Sequence, residues 1–370
     1  MAVKETKLSI GYFPGLDVLR FICATGVIFH HVGQLLVDKG LIEKPVMIYE
    51  QCGSFFLDTF FIISGFLISS ILIKETTAGK FSVKNFYLRR IIRIWPLYFL
   101  VVLATIVIIP HNKHIPAETI KTNLLYASGF AVNFQILMAQ VKTYTILWSV
   151  CIEEHIYLLL PLLLLIFRNN FKILSFVLIP AGFISWLYFG TVKSGSGLNT
   201  PYFVSTSYFY YFGLGSLLAF YQDKFRSGFF KTIFSKTAQW IFLVVLFLYV
   251  FNFFPHSLYK LPGVLIFSGF FGSYLVASAS QPEFILSLRP SVSRFVGNIS
   301  YAMYLLHIVA ISTLLNFLLK KHSHPGSAAA TVWLPLAATL ITAAAASILY
   351  YVYERPILKL KNKFTVIGNK

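Results

Sequence analysis

The sequence predicts an all-α fold, a polytopic membrane bundle of about ten transmembrane helices. Three observations carry that reading. Hydrophobic residues make up 57% of the 370 and charged residues only 12%, with a mean hydropathy of +0.74. The apolar residues come in runs long enough to cross a bilayer, near 14–37, 52–73, 91–109, 145–167, 171–190, 201–221, 238–254, 261–279, 296–319 and 330–353. Lysine and arginine collect in the short segments between those runs, the ordinary signal of membrane topology. A soluble chain of this length would divide into two or more domains. One bundle can instead use the whole length, so residues 1–370 are taken as a single transmembrane domain.

Residues 121–140 are moderately apolar but include Asn123, Ser128, Asn133, Gln135 and Gln140. If they do not span, 21 Lys/Arg fall on the cytoplasmic side and 9 outside, with Arg20 inside a helix. If they span, the count becomes 13 inside against 17 outside, which breaks the positive-inside rule. The segment is therefore re-entrant or lies at the outer surface, and both termini are cytoplasmic, Lys359–Lys363 forming a basic end. Lys4 and Lys7 precede an apolar run without a cleavage pattern, so the first helix is expected to be retained. The net charge of +18 is explained by the loops and does not indicate nucleic acid. Cys23, Cys52 and Cys151 lie in or beside apolar runs without metal-ligand spacing, so neither a disulfide framework nor a metal site is expected.

Against this background the ionisable residues inside apolar runs carry the functional signal, because burying them in lipid costs several kcal/mol. Arg20 and His31 are eleven residues apart in the first run, within roughly 20° on one helix face and about 16 Å apart along the axis. Cys23, Ala24 and Val27 lie on the stripe between them, small enough to leave room for a passage. His30 points about 100° away from His31 and is the weaker candidate. Asp58 sits about 9 Å from the outer end of the second run, His31 at a similar depth and Glu153 about 12 Å deep. A carboxylate beside an imidazole fixes its tautomer and raises its basicity, as a general base requires. A water-filled vestibule faced by Glu153, Glu154 and His155 without catalysis is the lesser alternative.

At the other boundary lies Arg89-Arg90-Ile91-Ile92-Arg93. Spacings of three and four place these guanidinium groups on one surface, where planar forks suit phosphate. An anchor for the third helix would need the same charges. Ser64-Gly65, in the second run, fits close helix packing. His307 falls near mid-membrane in the ninth run, where a histidine is more often a hydrogen-bonded packing residue. His111, His114, His256, His322 and His324 belong to expected outer loops.

Taken together, Arg20-x10-His31, Phe60-Phe61-x-x-Ser64-Gly65-Phe66, Arg89-Arg90-x-x-Arg93-Ile94-x-Pro96-x-Tyr98, Trp148-Ser149-x-x-x-Glu153, Ser300-Tyr301-x-x-Tyr304-Leu305-x-His307 and Glu354-Arg355-Pro356 resemble the acyltransferase 3 family of integral membrane acyltransferases. Val150 and Ile156 depart from the usual leucine and phenylalanine. The resemblance implies that Arg20 and His31 are the functional pair of the first helix and that Arg89, Arg90 and Arg93 bind the coenzyme A of an acyl-CoA donor, acetyl-CoA foremost, with no metal. Ser64 and Tyr98 fall with the arginines on the donor side, and Trp148, Tyr301 and His307 on the acceptor side. His31 is then the general base, with Asp58 or Glu153 holding its ring; a covalent acyl-histidine is left open. The implied acceptor is a hydroxyl of an extracytoplasmic or lipid-linked carbohydrate, and the implied location is the bacterial inner membrane. Many relatives carry an appended SGNH hydrolase-like domain, absent from this sequence, so an extracytoplasmic partner acyltransferase is an option. A proton-coupled transporter is the competing class, since buried His, Arg and carboxylates on ten helices also describe a carrier.

Overall fold

A computed structural model describes residues 12–43, 47–109, 115–139, 146–167, 169–191, 200–251, 253–254, 262–320 and 328–364. Lys4, Lys7, His111, His114, Gln140, His256, His322 and His324 lie outside the described residues. Among those described there is no strand. The helices are α1 (Pro14–Asp38), α2 (Met47–Thr77), α3 (Val83–Val102), α4 (Ala117–Ser128), α5 (Val132–Ala139), α6 (Leu147–Ile166), α7 (Phe171–Thr191), α8 (Phe209–Tyr221), α9 (Gly228–Ile233), α10 (Lys236–Val250), α11 (Gly263–Ala279), α12 (Pro290–Lys320), α13 (Ala328–Leu349) and α14 (Arg355–Leu358).

All ten predicted runs fall on helices. Among the described residues, 7 helices are long and apolar enough to cross a membrane. The other three runs give α8, α10 and α11, of 13, 15 and 17 residues. Among the described residues, 121–139 form no spanning helix: α4 has 12 residues and α5 has 8, and a turn joins them. The polar side chains noted in the sequence explain the break, because Asn123 and Gln135 are buried and bonded to each other at 2.6 Å. Phe130, in the connecting turn, takes the left-handed backbone conformation with φ of 53°.

Lipid-facing surfaces can be read from the exposed apolar side chains. On α6, Leu158, Leu162, Leu165 and Ile166 are exposed, at the spacing of one helical stripe. Trp240, Ile241, Val244 and Phe247 do the same on α10. Leaving such stripes in water would be unfavourable, whereas helices whose backbone groups bond internally can present them to hydrocarbon. Local devices set the ends and bends. The Ser82 hydroxyl accepts from the Asn85 N–H and caps α3. A π-turn over Leu103–Ile108 extends α3, and another over Tyr350–Glu354 follows α13. The second changes the phase of the chain, so Glu354 is buried while Arg355 and Pro356 are exposed.

The chain clusters into two compact units. One comprises residues 64–223 and 354–364 together with residues 12–13, and the other residues 14–63 and 224–353. In the first, α7 packs along α8 and the 359–364 segment lies against α3. Gly65 permits a close backbone approach there: a Cβ at that position would sit 2.3 Å from the Phe212 carbonyl oxygen. The packing reading of Ser64-Gly65 therefore holds for the glycine. In the second unit α1 is enclosed by α11, α12 and α13. Gly297 of α12 leaves space for the Asp17 carboxylate, since a Cβ there would lie 2.4 Å from Asp17 Oδ1.

Candidate functional site

The polar residues of the first unit gather around Glu153. Its Oε1 accepts from the Ser64 hydroxyl at 2.6 Å and from the Tyr157 hydroxyl one helical turn on. The Arg90 guanidinium lies over the Tyr157 ring, 5.6 Å from its centroid, and over Phe86 at 5.9 Å, within reach for cation–π attraction. Arg90 also feels the charge of Glu153. Its Nε is buried and makes no hydrogen bond among the described residues. Such a donor suits an anionic oxygen, because an unmade bond at a buried polar atom is costly.

The three arginines do not share one fate. Arg90 and Arg93 are partly exposed. Arg89 is 3% exposed, and its Nη2 meets both carboxylate oxygens of Glu75 at 2.9 Å. Its Nη1 donates to the Phe364 carbonyl, also at 2.9 Å. The expected common surface of three forks is thus reduced to two partly exposed arginines, with Arg89 buried in an ion pair. Spacing of three and four puts side chains on neighbouring faces, but it does not say which one finds a buried carboxylate. Arg93 has Glu354 as a nearby opposite charge; both Glu354 oxygens are buried without a hydrogen-bond partner among the described residues.

Breaking a buried ion pair leaves one uncompensated charge, which costs about 3–5 kcal/mol. Glu75→Ala is therefore expected to lower thermal stability strongly. The double substitution Glu75→Leu with Arg89→Leu should recover most of that loss, as a thermal unfolding series in detergent would measure. A double variant as unstable as the single one would refute the pairing as the cause.

The remaining motif residues of this unit are engaged in packing or local bonds. Tyr98 is fully buried and donates to the Ala127 carbonyl at 2.9 Å, with Cys151 Sγ at 3.6 Å. Trp95 Nε1 donates to Glu154 Oε2 at 3.1 Å. Trp148 is partly exposed, with its ring against Phe203 and Tyr208. His155 Nδ1 lies 2.8 Å from the Ser205 hydroxyl, and its ring stacks on Phe134.

The second unit holds the other motif residues. Arg20 and His31 stand on one uninterrupted helix of 25 residues. Cys23, Ala24 and Val27, the small residues between them, are buried. Asp17 lies 3.7 Å from the Arg20 guanidinium. His31 is partly exposed, while His307 is fully buried. His31 Nδ1 lies 2.9 Å from the Val27 carbonyl and 3.2 Å from His307 Nε2. The two ring centroids are 4.8 Å apart. His307 Nδ1 in turn faces the Tyr304 carbonyl at 2.5 Å. His30 packs edge-on to His31 at 5.1 Å. Within this unit the side chain bonded to His31 is His307, which was expected to face the acceptor. Asp58 is in the same unit, 2% exposed, and makes no hydrogen bond to His31 among the described residues. Tyr301 is partly exposed, one turn before Leu305.

Three residues entered the picture only through the structure. Glu75 is the partner of Arg89, Tyr157 the shelf under Arg90, and the Phe364 carbonyl an acceptor for Arg89. Tyr157 was visible four residues after Glu153, the spacing of helix neighbours. Neither of the other two carries a sequence signal.

A family model described as "Acyltransferase domain" matches residues 13–352. "Putative O-acetyltransferase SACOL0978" of Staphylococcus aureus (strain COL) is 26% identical over 325 residues, covering 81% of this chain and 51% of that protein. "O-acetyltransferase OatA" of Staphylococcus aureus (strain NCTC 8325 / PS 47) is 26% identical over 386 residues, covering 96% of this chain and 58% of that protein. An uncharacterized protein of Haemophilus influenzae is 28% identical over 188 residues, 45% of this chain and 75% of its own length. The chain thus spans about half the length of the staphylococcal relatives it matches. No solved structure matches.

Proposed function

This chain belongs to the acyltransferase family whose model covers residues 13–352, and on that premise we propose that it moves an acyl group, acetyl foremost, from acyl-CoA to a hydroxyl of an extracytoplasmic or lipid-linked carbohydrate. The observation that carries the proposal is a membrane-embedded imidazole hydrogen-bonded through Nδ1 alone, His31 Nε2 having no hydrogen bond among the described residues. An imidazole so held has a second nitrogen to offer a substrate hydroxyl.

In the reaction the acceptor oxygen attacks the thioester carbonyl carbon. The carbon–sulfur bond breaks, and His31 takes the hydroxyl proton and returns it to the departing CoA thiolate. Arg20, about 16 Å further along the same helix, steers polar atoms of the donor on its way to His31, moderated by Asp17 at 3.7 Å. Arg90 and Arg93 hold the phosphates of the donor, with Glu153, Ser64 and Tyr157 fixing the shape of that surface. Arg89 serves it indirectly, through its bond to Glu75. Asp58 acts as a buried carboxylate of the catalytic helix pair, and Trp148 and Tyr301 as acceptor contacts. The same reading places the whole of residues 1–370 in one multi-pass domain of the bacterial inner membrane with cytoplasmic termini. It also leaves room for an extracytoplasmic partner that completes the transfer.

The test incubates the purified protein with acetyl-CoA and candidate glycans. Mass spectrometry then follows acyl gain on the sugar together with free CoA. Matched appearance of both is the expected result. Uptake of an intact solute into proteoliposomes without CoA release would replace the enzyme by a carrier.

A further inference from the structure

The proton positions on the two facing imidazoles follow from their neighbours. His307 Nδ1 lies 2.5 Å from the Tyr304 carbonyl, and a carbonyl only accepts. That nitrogen therefore carries the hydrogen. A neutral imidazole has only one, so His307 Nε2 presents a lone pair. This lone pair lies 3.2 Å from His31 Nδ1. The Val27 carbonyl, another pure acceptor, lies 2.9 Å from the same Nδ1. Two independent acceptors thus ask for a hydrogen on His31 Nδ1, and nothing bonded to the ring asks for one on Nε2. Which nitrogen is bare on an imidazole is set by the bond the other one makes.

We infer that His307 is a positioning residue for the reaction: through its Nε2 it fixes the His31 tautomer that leaves His31 Nε2 as the proton-accepting atom. This rests on the general-base reading of His31. The pair also fits the charged state that follows. When Nε2 takes a proton, the Nδ1–H bonds to Val27 and His307 become charge-assisted and strengthen. His307 is fully buried, and an imidazole lone pair carries no charge of its own, so it supports the imidazolium less than a carboxylate would. The proton is then given up readily to the thiolate leaving group.

The geometry supplies its own discriminating substitutions. A glutamine side chain places its carbonyl oxygen near where Nε2 of a histidine stands, and asparagine places its oxygen near Nδ1. His307→Gln should accept from His31 Nδ1 and keep kcat within about 10-fold of the wild type, whereas His307→Asn and His307→Leu should lose about 100-fold or more. KM for acetyl-CoA should be the same in all of them. A merely structural role would not separate Gln from Asn in that sense. Equal rates for the Gln and Asn variants, or full activity in the Leu variant, would overturn the inference. Should these variants fail to insert, 15N NMR of histidine-labelled wild type, assigned with His31→Ala, reads the tautomer directly. Protonated Nδ1 and unprotonated Nε2 are expected for His31, and the reverse overturns the proposal. The two readings fail separately: an active His31→Ala removes the base itself, while an inactive His31→Ala beside a fully active His307→Leu removes only His307.

Discussion

Alanine in place of His31 lowers acyl transfer about 100-fold to 10,000-fold, the contribution expected of a general base, and leaves CoA affinity unchanged. The side chain makes two hydrogen bonds, to Val27 and His307. Removing it leaves the Val27 carbonyl in its helix but takes the donor away from His307 Nε2. An unsatisfied buried nitrogen costs about 1–3 kcal/mol, a loss that can be confused with catalysis if only activity is measured. Stopped-time assays of CoA release should therefore be paired with a thermal midpoint and a CoA-binding isotherm on the same preparation. Reduced turnover with intact binding is the expected pattern. Turnover equal to the wild type would take His31 out of the chemistry.

Glutamine at both Arg90 and Arg93 weakens CoA binding about 10-fold to 100-fold for each arginine, from about 1.5–3 kcal/mol per charged hydrogen bond. The affinity of pantetheine, which lacks the phosphates, stays where it was. Isothermal titration of the detergent-solubilised protein measures both ligands. Arg90 is the sharper of the two, since its Nε has no hydrogen bond among the described residues while its face is already held by Tyr157 and Phe86. Its loss removes a ligand contact together with the cation–π contacts to these two rings. Arg89 behaves in the opposite way, because its guanidinium is committed to Glu75 and Phe364. Replacing it reads out as stability first. CoA affinity unmoved by the double substitution would return these arginines to the anchoring role that their position at a helix boundary also explains.

The helical class and the ten helical runs were legible in composition and hydropathy, because a bilayer imposes a length and an apolar content that few other environments require. Residues 121–140 were legible as non-spanning from the Lys/Arg count on the two sides, and the structure adds that their buried Asn123 and Gln135 bond to each other. The site was legible only to the level of residue type. Helical spacing put Arg89, Arg90 and Arg93 together, yet the inward turn of Arg89 depends on Glu75, a residue of a different helix with no periodic relation to it. The partner of His31 was missed for a similar reason. A carboxylate was the expected neighbour within hydrogen-bond reach, while the side chain bonded to His31 in its own unit is a histidine 276 residues away in the chain. Local pattern fixes which face a side chain occupies, and long-range pairing decides what it meets there.

The Arg89 fork grips the Phe364 main chain with one nitrogen and Glu75 with another. Since the acceptor is a peptide carbonyl, no side-chain replacement at position 364 can delete it; only rerouting the backbone can. Editing the basic segment at 359–364 thus acts on helix α3 itself, and a change made there for handling or labelling reaches the neighbourhood of Arg90 and Arg93.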